Sequence, residues 1–165
     1  MASPKKIAPG VFSPDILTFI RLLEKYAVRY MIVGGEAVIY HGYPRVTGDV
    51  DFFYEPTRKN TEKLWAVLKE FWDGKIPGLR NSAELMEPGL IIQFGRPPHR
   101  LDLMNAIDGV SFSAAWRSHL RVQLGKSKDH TSYIGLRTLI KNKRASGRHK
   151  DLQDTEHLKK KPGAH

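Results

Sequence analysis

The chain has 165 residues, 41% of them apolar and 27% charged, which is typical of one folded domain of ordinary size. No apolar run approaches the ~20 residues that span a bilayer, and no apolar stretch of a secretory signal follows the first lysines, so we expect a cytoplasmic protein outside the membrane. The absence of cysteine excludes disulfides, thiolate metal sites and cysteine nucleophiles. The net charge of +10 favours contact with a polyanion such as RNA, although a lysine-rich solvated surface has the same composition.

Apolar periodicity and turn residues divide the chain into alternating helices and strands. Ser13 followed by Pro14 and Asp15 is typical of a helix start. In chain order, the pattern predicts helices over residues 14–27, 36–41, 58–72, 111–118, 135–146 and 149–160, and strands over 29–33, 49–54, 90–94, 100–104 and 120–124. We therefore predict a single α/β (α+β) domain over residues 1–165, with a mixed central sheet flanked by helices and flexible tails at 1–12 and 160–165.

Two carboxylates alternate in the second predicted strand. Residues two apart in a strand point the same way, so Asp49 and Asp51 place their carboxylates side by side on one face. Such a pair repels unless a cation lies between them, and Mg²⁺ binds one or two carboxylates together with substrate phosphate oxygens. The alternative is that one Asp faces solvent and caps the turn that begins at Gly48.

Two neighbouring features favour a metal site over that alternative. Gly34 and Gly35 end a strand and open a helix, where free backbone N–H groups and the helix dipole attract phosphate. Asp102 is a lone acid in an otherwise apolar strand, and we expect nothing in its own segment to neutralise it. Either it is a third carboxylate beside the first pair or it forms a structural salt bridge. Three converging carboxylates beside a phosphate site suit two-metal phosphoryl transfer.

Three further polar residues are candidates for phosphate contact. Arg45 is either a phosphate clamp or one half of a surface salt bridge, and the Thr47 hydroxyl is better placed to fix the turn before Asp49 than to contact substrate. Lys143 follows apolar residues at helical spacing and therefore lies on the apolar face of its helix, whereas Lys141 points away. A lysine on a buried face must extend to solvent or meet an anion, here a substrate phosphate, the Asp151 carboxylate, or each in succession.

The motif G-G-x-A, followed by H-G-x-x-R-x-T-x-D-x-D and a single later Asp, resembles the nucleotidyltransferase fold of the polymerase-beta superfamily. Within it, the chain is most similar to the AbiEii/MenT-type toxin-like nucleotidyltransferases of type IV toxin–antitoxin systems. The segment L-I-K-N-K-R-A-S-G-R-H-K-D-L-Q-D, residues 139–154, is similar to the lysine-and-aspartate closing motifs of that family. The chain departs from the superfamily at Gly35, where serine is common, and at His149, where a helix-starting proline is frequent.

The resemblance implies a nucleotidyltransferase fold with closing C-terminal helices. It also implies a Mg²⁺- or Mn²⁺-dependent transfer of an NMP from an NTP, such as ATP, to an acceptor hydroxyl, with release of pyrophosphate. In that reaction Asp49, Asp51 and Asp102 hold metal, Asp102 helps to activate the acceptor, and Lys143 neutralises developing charge. The implied nucleotide- and phosphate-binding residues are Gly34, Gly35, Arg45, Thr47, Arg148 and Asp151.

The predicted acceptor and partners rest on the resemblance and on the net charge. The resemblance makes the 3′ end of tRNA the candidate acceptor and a cognate antitoxin the candidate protein partner. A candidate RNA track consists of Arg117, Arg121, Lys126 and Lys128. The alternatives are a protein side chain or a small molecule as acceptor, or a non-catalytic RNA- or partner-binding module on the same fold.

Overall fold

The computed structural model describes residues 12–165, so the predicted N-terminal tail falls almost entirely outside the described residues. The α-helices of the described chain are α1 (Pro14–Lys25), α2 (Gly34–Tyr40), α3 (Arg58–Phe71), α4 (Phe112–Arg117), α5 (Leu136–Ser146) and α6 (His149–Leu158). The strands are β1 (Tyr30–Val33), β2 (Asp49–Tyr54), β3 (Ile91–Phe94), β4 (Arg100–Met104), β5 (Leu120–Gln123) and β6 (His130–Tyr133). A short 3-10 helix at Ser82–Met86 was not predicted from the sequence. Across residues 12–165, no helix has the length and apolar character needed to cross a bilayer.

The strands form one mixed sheet of six strands in the order β3-β4-β2-β1-β6-β5. β2 pairs with β1 in antiparallel and with β4 in parallel orientation, and β1 pairs with β6 in parallel orientation. The register places Val33 opposite Asp51 and Asp51 opposite Asp102. The chain is therefore a mixed protein of the α+β class, as predicted, and the end of β1 meets the beginnings of β2 and β4 at one end of the sheet.

α1 forms as the sequence predicts and packs its apolar side onto the sheet. The Ser13 side chain accepts a hydrogen bond from the backbone N–H of Ile16 at 3.3 Å, so it caps the first turn. The Phe19 ring packs edge-on against Phe52 of β2 and Phe71 of α3, with ring centres 5.3 and 5.2 Å apart. These contacts fix the side of β2 that faces away from its carboxylates.

β6 is a strand that its own residues do not reveal. Its sequence is polar, yet Thr131 and Ser132 are buried, and their hydroxyls have partners on other elements. The Thr131 hydroxyl lies 2.9 Å from the hydroxyl of Tyr30, and Arg121 donates to the Ser132 hydroxyl at 3.1 Å. A polar segment is therefore placed between β1 and β5 by residues far away in the sequence.

The C-terminal residues fold back against α5. This helix ends at Gly147, whose φ of 67° allows the chain to turn into α6. Beyond α6, Ala164 is buried and the carbonyl of Gly163 accepts a hydrogen bond from Arg137 at 3.3 Å. The segment 160–165, predicted as a tail, thus contacts α5 at this point.

Candidate active site

Asp49, Asp51 and Asp102 converge at the end of the sheet where β2 and β4 begin. Each offers a carboxylate oxygen, and these three oxygens all lie within 4.8 Å of one another. The parallel register sets Asp51 opposite Asp102, and Asp49 lies two residues before Asp51 on the same face of β2. Asp102 is buried, and Asp49 and Asp51 are partly buried.

Asp51 is the least compensated of the three carboxylates. Its Oδ1 atom is buried and has no hydrogen-bond partner among the described residues. Burial, followed by the charges of Asp49 and Asp102, raises the pKa of Asp51 to about 7, while the positive charge of Lys143 acts in the opposite direction. A buried carboxylate oxygen without a donor is a feature that a bound cation would satisfy.

Arg100 bridges the other two carboxylates. Its Nη2 atom lies 2.7 Å from Asp49 Oδ2 and 3.2 Å from Asp102 Oδ2, and its Nε atom lies 2.9 Å from Asp102 Oδ1. Burial acts to raise the pKa of Asp49, but hydrogen bonds from Arg100 and Thr47 outweigh it, and the pKa of Asp49 is lowered. For Asp102 burial is the larger effect, so its pKa is raised although Arg100 acts to lower it. The expectation that nothing in its own segment neutralises Asp102 is therefore wrong, because Arg100 lies two residues earlier on the same face of β4.

The carboxylate cluster fits a hard divalent cation. Two oxygens bound to one Mg²⁺ at about 2.1 Å lie at most about 4.2 Å apart, so small side-chain rotations would bring the three oxygens into range. All the donors are carboxylate oxygens, the ligand class that Mg²⁺ and Mn²⁺ prefer. The buried Oδ1 atom of Asp51 supplies one ligand that no other described group uses.

Gly34 and Gly35 lie directly against this end of β2. Gly34 has a φ of 66°, and a Cβ atom on it would lie 2.2 Å from Asp51 Oδ2. A Cβ atom on Gly35 would lie 2.7 Å from the Thr47 hydroxyl oxygen and 3.2 Å from Arg45 Nη2. A side chain at either position would displace its neighbours. This is a physical reason for glycine at position 35.

Thr47 and Arg45 hold the segment that leads into β2. The Thr47 hydroxyl donates a hydrogen bond to Asp49 Oδ1 at 3.2 Å and lies 3.3 Å from the Asp49 carbonyl oxygen, so it fixes the turn as predicted. Arg45 forms a salt bridge with Asp154, with Nη2 and Oδ2 3.2 Å apart. Since only 13% of the Arg45 side chain and 1% of the Asp154 side chain is exposed, this is a buried pair and not the surface pair considered above.

Lys143 anchors a buried charge network between α5 and α6. Its side chain is buried and that of Lys141 is exposed, as the helical spacing predicts. The Lys143 ammonium lies 2.7 Å from Asp151 Oδ1 and 3.2 Å from Asp154 Oδ2. The pairing of Lys143 with Asp151 is therefore present, and Asp154 connects it to Arg45 on the segment before β2.

Asp151 is the most strongly hydrogen-bonded acid of this network. It accepts hydrogen bonds from the Lys143 ammonium, from the Ser146 hydroxyl and from Arg148, whose Nε lies 2.8 Å from Asp151 Oδ2. Against the effect of burial, these bonds lower the pKa of Asp151 to about 2. The Arg148 side chain is 79% exposed. Arg148 and Asp151, predicted to bind nucleotide, thus lie in the α5–α6 network and not among the three carboxylates.

A cleft of about 680 Å³ opens beside Asp49. It is lined by residues of α1, by Pro98 and His99 before β4, and by Glu36, Thr47 and Asp49. Burial, followed by the charge of Asp49, raises the pKa of Glu36. Of the three carboxylates, Asp49 is the one that lines this cleft.

Arg100 and Asp154 belong to the site, although their sequence positions alone do not single them out. The spacing of two that pairs Asp49 with Asp51 also pairs Arg100 with Asp102, so the same rule applied to β4 would have found this arginine. Asp154 follows Asp151 by three residues and therefore shares its face of α6.

Comparisons with known proteins do not place this arrangement in a family. No protein-family model matches the chain, and no curated protein matches its sequence. Its function must therefore be inferred from the residues and their geometry.

Proposed function

We propose that the chain is a Mg²⁺-dependent nucleotidyltransferase with the nucleotidyltransferase fold of the polymerase-beta superfamily. The observation that supports this proposal is the convergence of Asp49, Asp51 and Asp102, with oxygens within 4.8 Å and a buried Asp51 oxygen that lacks a donor. The glycine pair beside Asp51 and the motifs described above agree with this function. By these motifs the chain resembles toxin-like nucleotidyltransferases, and an antitoxin is the proposed protein partner.

The proposed reaction moves an NMP from an NTP to an acceptor hydroxyl. The hydroxyl oxygen forms a bond to the α-phosphorus, the bond between that phosphorus and the oxygen bridging to the β-phosphate breaks, and pyrophosphate leaves. The hydroxyl proton passes to the Asp102 carboxylate. Mg²⁺, which Asp49, Asp51 and Asp102 would hold, supplies positive charge that stabilises the triphosphate and the attacking oxygen.

The positive and small residues around the carboxylates have separate proposed roles. Gly34 and Gly35 are the proposed phosphate-binding residues, and their missing side chains let Asp51, Thr47 and Arg45 pack directly against this backbone. Lys143 adds a buried positive charge that already acts on Asp51. Two of its three N–H donors face Asp151 and Asp154, which leaves one for a phosphate oxygen.

The direct test is an assay of transfer. The purified chain is incubated with Mg²⁺, each α-labelled NTP in turn, and bacterial total RNA, total protein or small metabolites. We expect label in the RNA fraction, at the 3′ end of tRNA, and no label with an Asp51→Asn chain. Label in protein or in a small molecule would change the acceptor but not the reaction, whereas no transfer to any fraction would contradict the proposal.

The exposed side of α5 is the proposed contact surface for an RNA acceptor. It carries Arg137, Lys141 and Arg144, which are exposed and recur at helical spacing. α5 begins just after β6 ends, and the end of β6 lies beside β1 at the same end of the sheet as the carboxylates. Lys126 and Lys128 of the candidate track precede β6 and therefore lie at its opposite end.

For an RNA acceptor, we expect the logarithm of the association constant to fall linearly with the logarithm of salt concentration, by about 0.7 to 0.9 per phosphate neutralised. Replacing Lys141 and Arg144 with Glu should weaken binding and reduce this slope by roughly one for each phosphate that is no longer neutralised. The matched pair Lys126→Glu and Lys128→Glu makes the same charge change and should alter the slope less. Equal effects of the two double variants would contradict the α5 surface, and absence of RNA binding at ~50 mM salt would favour a protein acceptor.

A further inference from the structure

Arg100 occupies the space between two carboxylates that the proposed function assigns to metal. Its Nη2 atom contacts both, at 2.7 Å from Asp49 Oδ2 and 3.2 Å from Asp102 Oδ2. A guanidinium and a divalent cation cannot share this position, because both carry positive charge and both use the same oxygens. The proposed metal and Arg100 therefore compete for the cluster.

The hydrogen bonds of Asp102 make this competition explicit. Its Oδ1 atom accepts from Arg100 Nε at 2.9 Å, and its Oδ2 atom accepts from Arg100 Nη2 at 3.2 Å and from Gln93 Nε2 at 3.3 Å. Asp49 accepts from Arg100 Nη2 at Oδ2 and from the Thr47 hydroxyl at Oδ1. Asp51 pairs with neither Arg100 nor Thr47, and its buried Oδ1 atom has no hydrogen-bond partner among the described residues. For a metal to bind all three carboxylates, Arg100 must break its hydrogen bonds to Asp49 and Asp102.

Arg100 has the freedom to move that the other cation of the site lacks. Its side chain is 29% exposed, compared with 6% for Lys143. It lies at the first residue of β4, next to Pro98 and His99, which line the cleft beside Asp49. A long arginine side chain at this rim can turn toward solvent without unfolding its strand.

We infer that Arg100 is an internal counter-ion that holds Asp49 and Asp102 together until a divalent cation displaces it, and that this pairing limits the affinity of the site for metal. The inference deepens the proposed function and rests on it, because it requires the same metal site. Arg100 is then a positioning residue: it keeps mutually repelling carboxylates assembled before metal arrives.

The experiment measures Mn²⁺ binding to the metal-free full chain by electron paramagnetic resonance, without nucleotide. Arg100→Gln should bind Mn²⁺ about tenfold more tightly than wild type or better, because a unit charge a few ångströms from the metal is removed. Arg100→Lys, which keeps the charge but has fewer donors, should lie between the two. The matched control is Arg58→Gln, which removes an exposed arginine that pairs with Glu62 on α3 and should leave Mn²⁺ affinity unchanged.

Thermal denaturation gives a second readout. Without metal, Arg100→Gln should melt at a lower temperature than wild type, and Mn²⁺ should raise its melting temperature more than that of wild type. If Arg100→Gln does not fold, the affinity of Arg100→Lys decides, because it must exceed that of wild type.

The possible results separate this inference from the proposed function. Arg100 variants that bind Mn²⁺ no more tightly than wild type, together with loss of binding in Asp51→Asn, would overturn the counter-ion role and leave the metal site standing. No Mn²⁺ binding by any of the chains would overturn both.

Discussion

Asp51→Asn is expected to abolish nucleotide transfer and, in the metal-free chain, to increase stability at neutral and alkaline pH. The loss of transfer follows from removing one charged metal ligand. The gain in stability follows from the pKa of Asp51, which burial and then the neighbouring carboxylates raise from an ordinary 3.8 to about 7. The folded wild-type chain therefore holds a proton that the unfolded chain releases, so its stability falls as pH rises from about 4 to about 7.

The substituted side chain does not titrate, so the stability of Asp51→Asn should not fall over this pH range. At pH 8 we expect Asp51→Asn to be more stable than wild type by at least about 1 kcal/mol, equivalent to a melting temperature about 2–4 °C higher. Thermal melts at pH 5 and pH 8 with a chelator present, together with transfer rates at saturating NTP, test both parts. Asp129→Asn serves as the control, since it removes a half-exposed carboxylate paired with Arg21 on the surface. Transfer at the wild-type rate by Asp51→Asn would contradict the metal site.

Lys143→Ala is expected to have a large effect on both stability and transfer. Removing the ammonium leaves Asp151 and Asp154 buried without their shared cation, which should cost about 3–5 kcal/mol of unfolding free energy. Transfer by the folded fraction should fall ~100-fold or more, by analogy with the loss of one group that stabilises transition-state charge. Lys141→Ala, on the exposed side of the same helix, should change stability by less than about 0.5 kcal/mol. Denaturant unfolding and transfer rates of both variants make the comparison.

Lys143→Arg separates the chemistry from the folding. Arginine keeps a positive charge beside the two acids, so the chain should fold, but a planar guanidinium replaces a compact ammonium and should not restore full transfer. Full activity in Lys143→Arg would limit the role of Lys143 to holding the network. If Lys141→Ala lost transfer and Lys143→Ala kept it, the assignment of residues in the closing helices would be wrong.

The parts of the site that depend on local geometry were predictable from the sequence. Asp49 and Asp51 are brought together by the two-residue period of one strand, and Lys143 is buried by the 3.6-residue period of one helix. Both periods operate over a few residues, so they can be read without knowing how the elements pack. α2 begins at Gly34, two residues before the start predicted from the sequence.

The parts that depend on pairing between distant segments were not predictable. Asp102 was a candidate third carboxylate because it is a lone acid in an apolar strand, but nothing in β2 or β4 specifies the parallel register that sets it opposite Asp51. Arg45 and Asp154 are 109 residues apart in sequence, so their buried salt bridge is visible only in the folded chain. β6 was missed for the same reason, since its polar residues are buried through hydroxyl partners on β1 and β5.

The position of β6 between β1 and β5 has a consequence for synthesis of the protein on the ribosome. The sheet is continuous only after residue 133 has been made, because β5, made earlier, joins β1 through β6. Lys143 and its partner Asp154 emerge later still, so a growing chain carries the three carboxylates before it carries the buried charge network of α5 and α6. Such late, long-range pairing slows folding. If the proposed reaction holds, an unfinished chain would not consume nucleotides or modify the RNA around it, and activity would begin only when translation of the α5–α6 segment is complete.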